Sequence, residues 1–272
     1  MMENYALFIY KMANDEDFSV RLTAILYLTH LLCKDILKPR GCLSDVALSM
    51  LPSKSFTESG CGGREVAAAA CNLFNELSKK GNLLVNVLPD IICRLSRYSE
   101  KVPMDAFQAL VRRFLSMLGD KSHDVMVEKM CHRFDFCGSE EAIENNENIA
   151  HYFSYFISQL NLSEKSLQKM CDFLPHFAPF LDDDVVFNNF SGVVRLFIES
   201  EPSPVAKDAA DSLLRKMEYL HKKSALTEAE SKKMLKTIGN IDLEIPVKLD
   251  AKGDPIVFNF DDCEQPVEYE ST

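Results

Sequence analysis

Apolar side chains recur at helical spacing along nearly all of the 272-residue sequence, and no stretch alternates as a half-buried strand would. Phe18 to Lys34 carries Val20, Ala24, Tyr27, Leu28 and Leu31 on one stripe, widened by Leu22, Ile25, Leu26 and Leu32. A helix this apolar is expected to be covered on more than one side. Residues 64–80 repeat the behaviour with Val66, Ala69, Ala70, Leu73, Phe74 and Leu77, and 83–98 follows directly. Further helices are predicted at about 2–13, 43–51, 104–118, 122–134, 147–160, 163–180, 183–200, 204–222 and 227–238.

The breaks between them are short and chemically specific. Lys79 and Lys80 suit the negative end of a helix dipole, and Gly81 supplies the left-handed stop. Asn82 can cap the next helix. Pro103 fits the first turn of its helix, Ser203-Pro204 reads as N-cap and N1, and Thr227 with Glu230 has capping-box spacing. Pro89 falls inside 83–98 and predicts a kink, because it removes the bond to the Val85 carbonyl. Residues 53–63 read as a flexible loop.

A dozen helices joined by short turns leave a bundle or a helix-pair solenoid, and the recurrence of pairs at roughly forty residues favours the solenoid. Asp17-Phe18-Ser19-Val20-Arg21 adds the Asp-x-x-Val-Arg pattern of HEAT repeats. The expected architecture is all-α: a HEAT-type solenoid over 1–238 and an acidic tail over 239–272.

Charge divides unevenly along the chain. The net charge is −11, of which −7 lies in residues 239–272, while 34–133 carries a local +4 and 134–238 comes to −6. A uniformly basic nucleic-acid binder is excluded, whereas a polyanion partner for the first half is not. The tail lacks helical period, with Ile256-Val257-Phe258-Asn259-Phe260 its one apolar run, so it reads as a disordered acidic segment. No stretch approaches a membrane span, and Met1-Met2-Glu3-Asn4-Tyr5 lacks the order of a signal peptide, which together predict an intracellular chain. In that setting Cys33, Cys71, Cys93, Cys131 and Cys171, all among apolar residues at helical spacing, are expected to be packing thiols.

No catalytic signature stands out. Nucleophile-elbow, P-loop and zincin motifs are missing, and Gly60-Cys61-Gly62-Gly63 has neither the preceding strand nor the Lys-Ser/Thr of a phosphate loop. Cys131, His132, Cys137 and His151 hold zinc-type donors, but neighbouring Cys and His point about 100° apart on a helix and no C-x-x-C pair exists, so no metal is expected there. Asp182-Asp183-Asp184 is expected to serve a helix N-terminus rather than a cation.

From about residue 8 to 223 the chain resembles the C-terminal HEAT region of condensin complex subunit 1, the large non-SMC HEAT subunit of condensin. The resemblance rests on Val20-Arg21-Leu22-Thr23-Ala24 leading into Leu28-Thr29-His30-Leu31, then Ile36-Leu37-Lys38-Pro39-Arg40-Gly41. Its densest block is Phe74-Asn75-Glu76-Leu77-Ser78-Lys79-Lys80-Gly81-Asn82, with Leu88-Pro89-Asp90-Ile91-Ile92 and Val127-Glu128-Lys129-Met130-Cys131-His132-Arg133-Phe134 at the expected distances. The loop at 53–63 and the acidic tail depart from the family, whose subunits are much longer and end in a basic tail.

The resemblance implies a non-catalytic scaffold without cofactor or small-molecule substrate. It would bind the kleisin subunit and the SMC ATPase subunits, help hold double-stranded DNA, and work in the nucleus and on mitotic chromosomes, with a cytoplasmic pool. The equivalent condensin II subunit and a generic HEAT adaptor share much of this pattern. Lys38, Arg40, Lys79, Lys80, Asn82, Arg94, Arg97, Lys101, Arg112 and Arg113 fall near helix ends or turns, where stacking would align them as a phosphate-binding edge. Ser203, before Pro204, is the candidate phosphorylation site, since the family is a target of cell-cycle kinases.

Overall fold

The computed structural model describes residues 3–39, 42–51, 62–97, 102–137, 149–223, 226–238 and 241. Among them are thirteen α-helices and no strand: α1 (Glu3–Met12), α2 (Phe18–Cys33), α3 (Leu43–Leu48), α4 (Gly62–Lys79), α5 (Leu83–Arg97), α6 (Met104–Met117), α7 (Asp120–Cys137), α8 (Ile149–Ser158), α9 (Glu164–Asp172), α10 (Leu174–Phe177), α11 (Asp184–Glu199), α12 (Pro204–Lys222) and α13 (Glu228–Ile238). A 3-10 turn, Ala178–Phe180, follows α10.

The helices stack in two layers. One runs α2, α4, α6, α8, α11; the other runs α1, α3, α5, α7, then α9 with α10, then α12. Each helix packs on its predecessor in the same layer, and the layers close on each other, as α4 does on α5 and α7 on α8. This is the helix-pair solenoid that the forty-residue period implies.

The same period appears in polar contacts. Asp45 on α3 meets Arg94 on α5 at 3.7 Å, Asp90 on α5 pairs with Arg133 on α7, and Asn86 accepts from Lys129 at 3.0 Å. Glu128 on α7 then pairs with Lys169 on α9, and Asp135 with His176 on α10. Asp124 accepts from Ser163 at 2.7 Å, and the Glu164 carboxylate accepts the Ser203 N–H at 3.1 Å. The layer is therefore tied joint by joint by groups about forty positions apart.

Aromatic side chains fill the space between the layers. Phe134 is fully buried among Phe153, Phe177, Phe180 and Phe190, with centroids 5.6–6.2 Å away, and Phe177 stacks on Phe190 at 4.2 Å. Phe74 of α4 meets Phe114 of α6 edge-on at 5.1 Å. Tyr152 packs on Phe107, and its hydroxyl donates to the Val102 carbonyl at 2.8 Å, so its polar end is satisfied inside the core.

Two sequence expectations are corrected. The helix expected over 163–180 is broken at Phe173, because Pro175 and Pro179 each lack an N–H donor; α9, α10 and the 3-10 turn take its place. Gly62 and Gly63, expected to end a loop, belong to α4. The α2 helix is covered by both α4 and α1, as expected, with Ala24, Ile25, Leu28 and Leu32 buried, while Val20, Leu26 and Tyr27 of its apolar stripe are exposed.

Several other local signals read from sequence hold. Gly81 stops α4 at φ +57°, Ser203 caps α12 by accepting the Ala206 N–H at 3.3 Å, and Glu230 accepts both the N–H and the hydroxyl of Thr227. Pro103 is the N-cap of α6 and lies one position earlier than expected. Pro89 lies buried inside α5, which continues to Arg97. Cys93 and Cys131 are buried, and Cys33, Cys42, Cys71, Cys93, Cys131 and Cys171 are free thiols. The tail apart from Ile241, and residues 53–61 of the expected loop, lie outside the described residues.

Candidate functional site

The ten residues expected at a phosphate-binding edge divide into structural and exposed groups. Lys80 is structural. Asp35 takes a left-handed conformation (φ 57°) just past α2, with its N–H bonded to the Leu32 carbonyl and the Ile36 N–H to that of Leu31. This is a Schellman closure with Asp in the place usually held by Gly. The Lys80 ammonium reaches from the α4–α5 turn to the Leu32 and Cys33 carbonyls, at 3.4 and 2.7 Å, and to the Asp35 carboxylate at 2.7 Å. It completes the C-terminal cap of a helix in the preceding repeat.

Arg94 is half-buried between Asp45 and the Cys42 thiol, which accepts from its guanidinium at 3.4 Å. Arg97 is half-buried at the end of α5. Arg113 is exposed on α6 and donates to the Cys71 sulfur on α4 at 3.2 Å. Arg112 is exposed beside it; burial pushes the Tyr155 phenol on α8 up, and Arg112 pulls it partly back.

The remaining cations face water. Lys38 is exposed after α2, and Lys79 is exposed with a same-helix contact to Glu76 at 2.6 Å. Such an i,i+3 pair is worth a few tenths of a kcal/mol and yields readily to a phosphate. Asn82 is exposed, and its carbonyl accepts the Asn86 N–H at 2.9 Å. Because Lys80 binds Asp35, the turn carrying Lys79 and Asn82 lies against the turn leading to Lys38. Arg40 and Lys101 lie outside the described residues.

The exposed part of α2 forms an apolar groove with α1. It is lined by Ile9, Met12, Ser19, Val20, Thr23, Ala24, Tyr27 and Leu31 and has a volume of about 410 Å³. Arg21 anchors the entrance of α2, its guanidinium donating to the carbonyls of Asp15 and Glu16 at 2.5 and 3.0 Å. Ser203 is exposed, yet its N–H is held by Glu164, so a phosphate added there meets both a helix N-terminus and a like charge.

Among the described side chains, Cys131, His132 and His151 belong to no common ligand cluster, and the Cys137 side chain lies outside the described residues. His151 pairs with Asp183 at 2.9 Å across the α8–α11 joint, and burial pushes the Cys131 thiol far up. Cys171 is also pushed up, by burial first and Asp172 second, with Lys216 opposing. Neither thiol is an activated nucleophile. His132 instead lies beside Asp135 and His176, a grouping that adjacent-residue spacing does not reveal. Asp183 is the N-cap of α11, accepting the Val185 and Val186 N–H groups at 2.8 and 3.1 Å, which places the Asp182–Asp184 run at a helix start as expected. Among the described residues no helix is long and apolar enough to cross a membrane.

Residues 1–151 match the family described as non-SMC mitotic condensation complex subunit 1. Over 224 residues, 82% of this chain, the sequence is 34% identical to condensin complex subunit 1 of Xenopus laevis, of which it covers 15%. It is 34% identical over 214 residues to the Homo sapiens condensin complex subunit 1, covering 78% of this chain and 14% of that protein. It is 29% identical over 197 residues to the Arabidopsis thaliana condensin-1 complex subunit CAP-D2, covering 71% of this chain and 13% of that protein. The chain thus spans roughly a seventh of the length of these curated relatives. No solved structure matches it.

Proposed function

The chain belongs to the condensin complex subunit 1 family, and from that membership we propose that it is a non-catalytic scaffold segment of condensin in mitotic chromosome condensation. Its partners are the kleisin subunit and the SMC ATPase subunits, and its place is the nucleus and the mitotic chromosome, with a cytoplasmic pool. The observation that carries this reading is the extent of the similarity, which covers 82% of the chain. A shared helix period alone would not sustain identity across consecutive repeats and the turns between them.

The mechanism is binding. A solenoid presents one surface residue per turn in register along its edge, so weak contacts sum over repeats. Double-stranded DNA lies along the edge formed by Lys38, Lys79 and Arg112, with Asn82 donating to a phosphate oxygen. Lys80, Arg94 and Arg113 set the geometry of that edge from behind, since their donors are committed to groups of the protein. Phosphate contacts of this kind give sequence-independent, salt-sensitive binding.

The test is affinity purification of the tagged chain from mitotic cells, paired with DNA binding by the isolated chain as a function of salt. Recovery of SMC subunits and a kleisin in comparable amounts is the expected result. Their absence from an abundant chain would overturn the scaffold assignment and favour a HEAT adaptor acting elsewhere. DNA affinity unchanged in K38A/K79A/R112A would remove the DNA edge alone.

A further inference from the structure

His132 and Asp135 stand one helical turn apart on α7, and His176 faces them from α10. An i,i+3 spacing puts two donors on one face of a helix, and the third comes from the next repeat. One donor atom from each residue lies within 4.8 Å of the others. The His176 Nδ1 already pairs with the Asp135 carboxylate, and that ring is 5% exposed. The His132 and His176 ring centroids are 5.3 Å apart. Phe173 packs against both, edge-on to His132 at 4.2 Å and tilted to His176 at 5.1 Å, which limits how either imidazole can turn.

Every other joint of the ladder described above brings a donor to an acceptor. Among the described residues, this is the one place where three metal-ligating groups converge. We propose that His132, Asp135 and His176 form a divalent transition-metal site, of the kind that takes Zn²⁺ or Co²⁺. This proposal is independent of the condensin reading.

The donor set supports it. Two imidazoles and one carboxylate are borderline ligands that select late first-row divalent ions over Mg²⁺ or Ca²⁺. Tetrahedral bonds of about 2.0–2.1 Å put donors roughly 3.3 Å apart, so closing the triad needs side-chain rotations of an ångström or so. Asp135 is exposed, leaving a solvent path to the ion and at least one coordination position for water. The bound metal fastens α7 to α10 beside the Phe173 break, where α9 and α10 meet. It therefore stiffens the joint beside the break between α9 and α10.

The experiment uses the full chain, freed of metal with a chelator and titrated with Co²⁺ under reducing conditions. One Co²⁺ per chain should bind, with visible ligand-field absorption of the nitrogen–oxygen type, and Zn²⁺ should displace it. His132→Gln should weaken binding at least about tenfold, since even loss of an outer-sphere partner costs that much in a metal site. His30→Gln, on exposed α2 surface, should leave binding unchanged. His176→Gln alters a buried ring, so His132→Gln with an unchanged helical circular dichroism spectrum is the deciding variant. Binding that survives His132→Gln, intense thiolate-to-cobalt charge transfer from cysteine capture, or no saturable ligand-field band would each overturn the assignment.

Discussion

Arg133 on α7 reaches back to the carboxylate of Asp90 on α5, forty-three residues earlier in the chain. The arginine side chain is 18% exposed and the aspartate 42%, so the pair is neither fully screened nor fully desolvated. Replacing Arg133 with Ala should cost about 1–2 kcal/mol, between the values for surface and buried pairs. Urea unfolding of the single variants and of D90A/R133A, read as a double-mutant cycle, checks this. A coupling energy near zero would mean that the contact merely decorates the joint.

Lys79 and Lys80 are adjacent in sequence and should behave in opposite ways. Lys80→Ala removes a cation from three oxygens in another repeat and should lower stability by about 1–2 kcal/mol. Lys79→Ala should shift stability by less than about 0.5 kcal/mol, yet reduce the slope of log affinity for DNA against log salt by about one. Thermal unfolding and fluorescence anisotropy at several salt concentrations separate the two.

His123 predicts a pH response. Its Nδ1 accepts the Asn161 N–H at 2.9 Å, which requires that nitrogen to be unprotonated. Burial lowers the imidazole below its ordinary value of 6.5, against the pull of Asp120 and Asp124. A depressed folded value means that the stabilisation is complete above the unfolded value of 6.5 and is lost as pH falls through the folded one. Between about pH 7.5 and pH 5.5 the wild type should therefore lose more unfolding free energy than His123→Asn, whose carbonyl keeps an acceptor without titrating. Equal slopes for the two proteins would contradict it.

Phe134→Ala should be the most damaging of these changes, at about 3–5 kcal/mol, because it empties a site enclosed by four other aromatic rings. Calorimetry on the purified variant reads the loss. Phe134→Leu, which restores part of the volume, should recover a measurable share.

Much of the fold was legible because helices, caps and stops are local. Gly81, Ser203, Thr227 and Glu230 act on residues within a turn of themselves, so their roles follow from spacing. The interaction edge was less legible, because a lysine's duty depends on what stands forty residues away. Nothing near Lys80 announces that a left-handed Asp35 and two carbonyls at the end of α2 await it. The same holds for His132, whose neighbours His176 and Asp135 come together only when α10 breaks from α9. Pro175 and Pro179 were the available signal for that break, and helical periodicity across 163–180 outweighed them. Tyr27 and Leu26 misled in the opposite sense: an apolar stripe shows what a helix can bury, not whether a neighbour is present.

The ties between repeats are offset by one period and lie toward the surface, so each links only adjacent turns of the stack. A pull along the axis would then be shared among many similar joints in series, each opening by a small rotation while the aromatic core beneath stays packed. Loss of any one tie would therefore loosen only the two turns it joins.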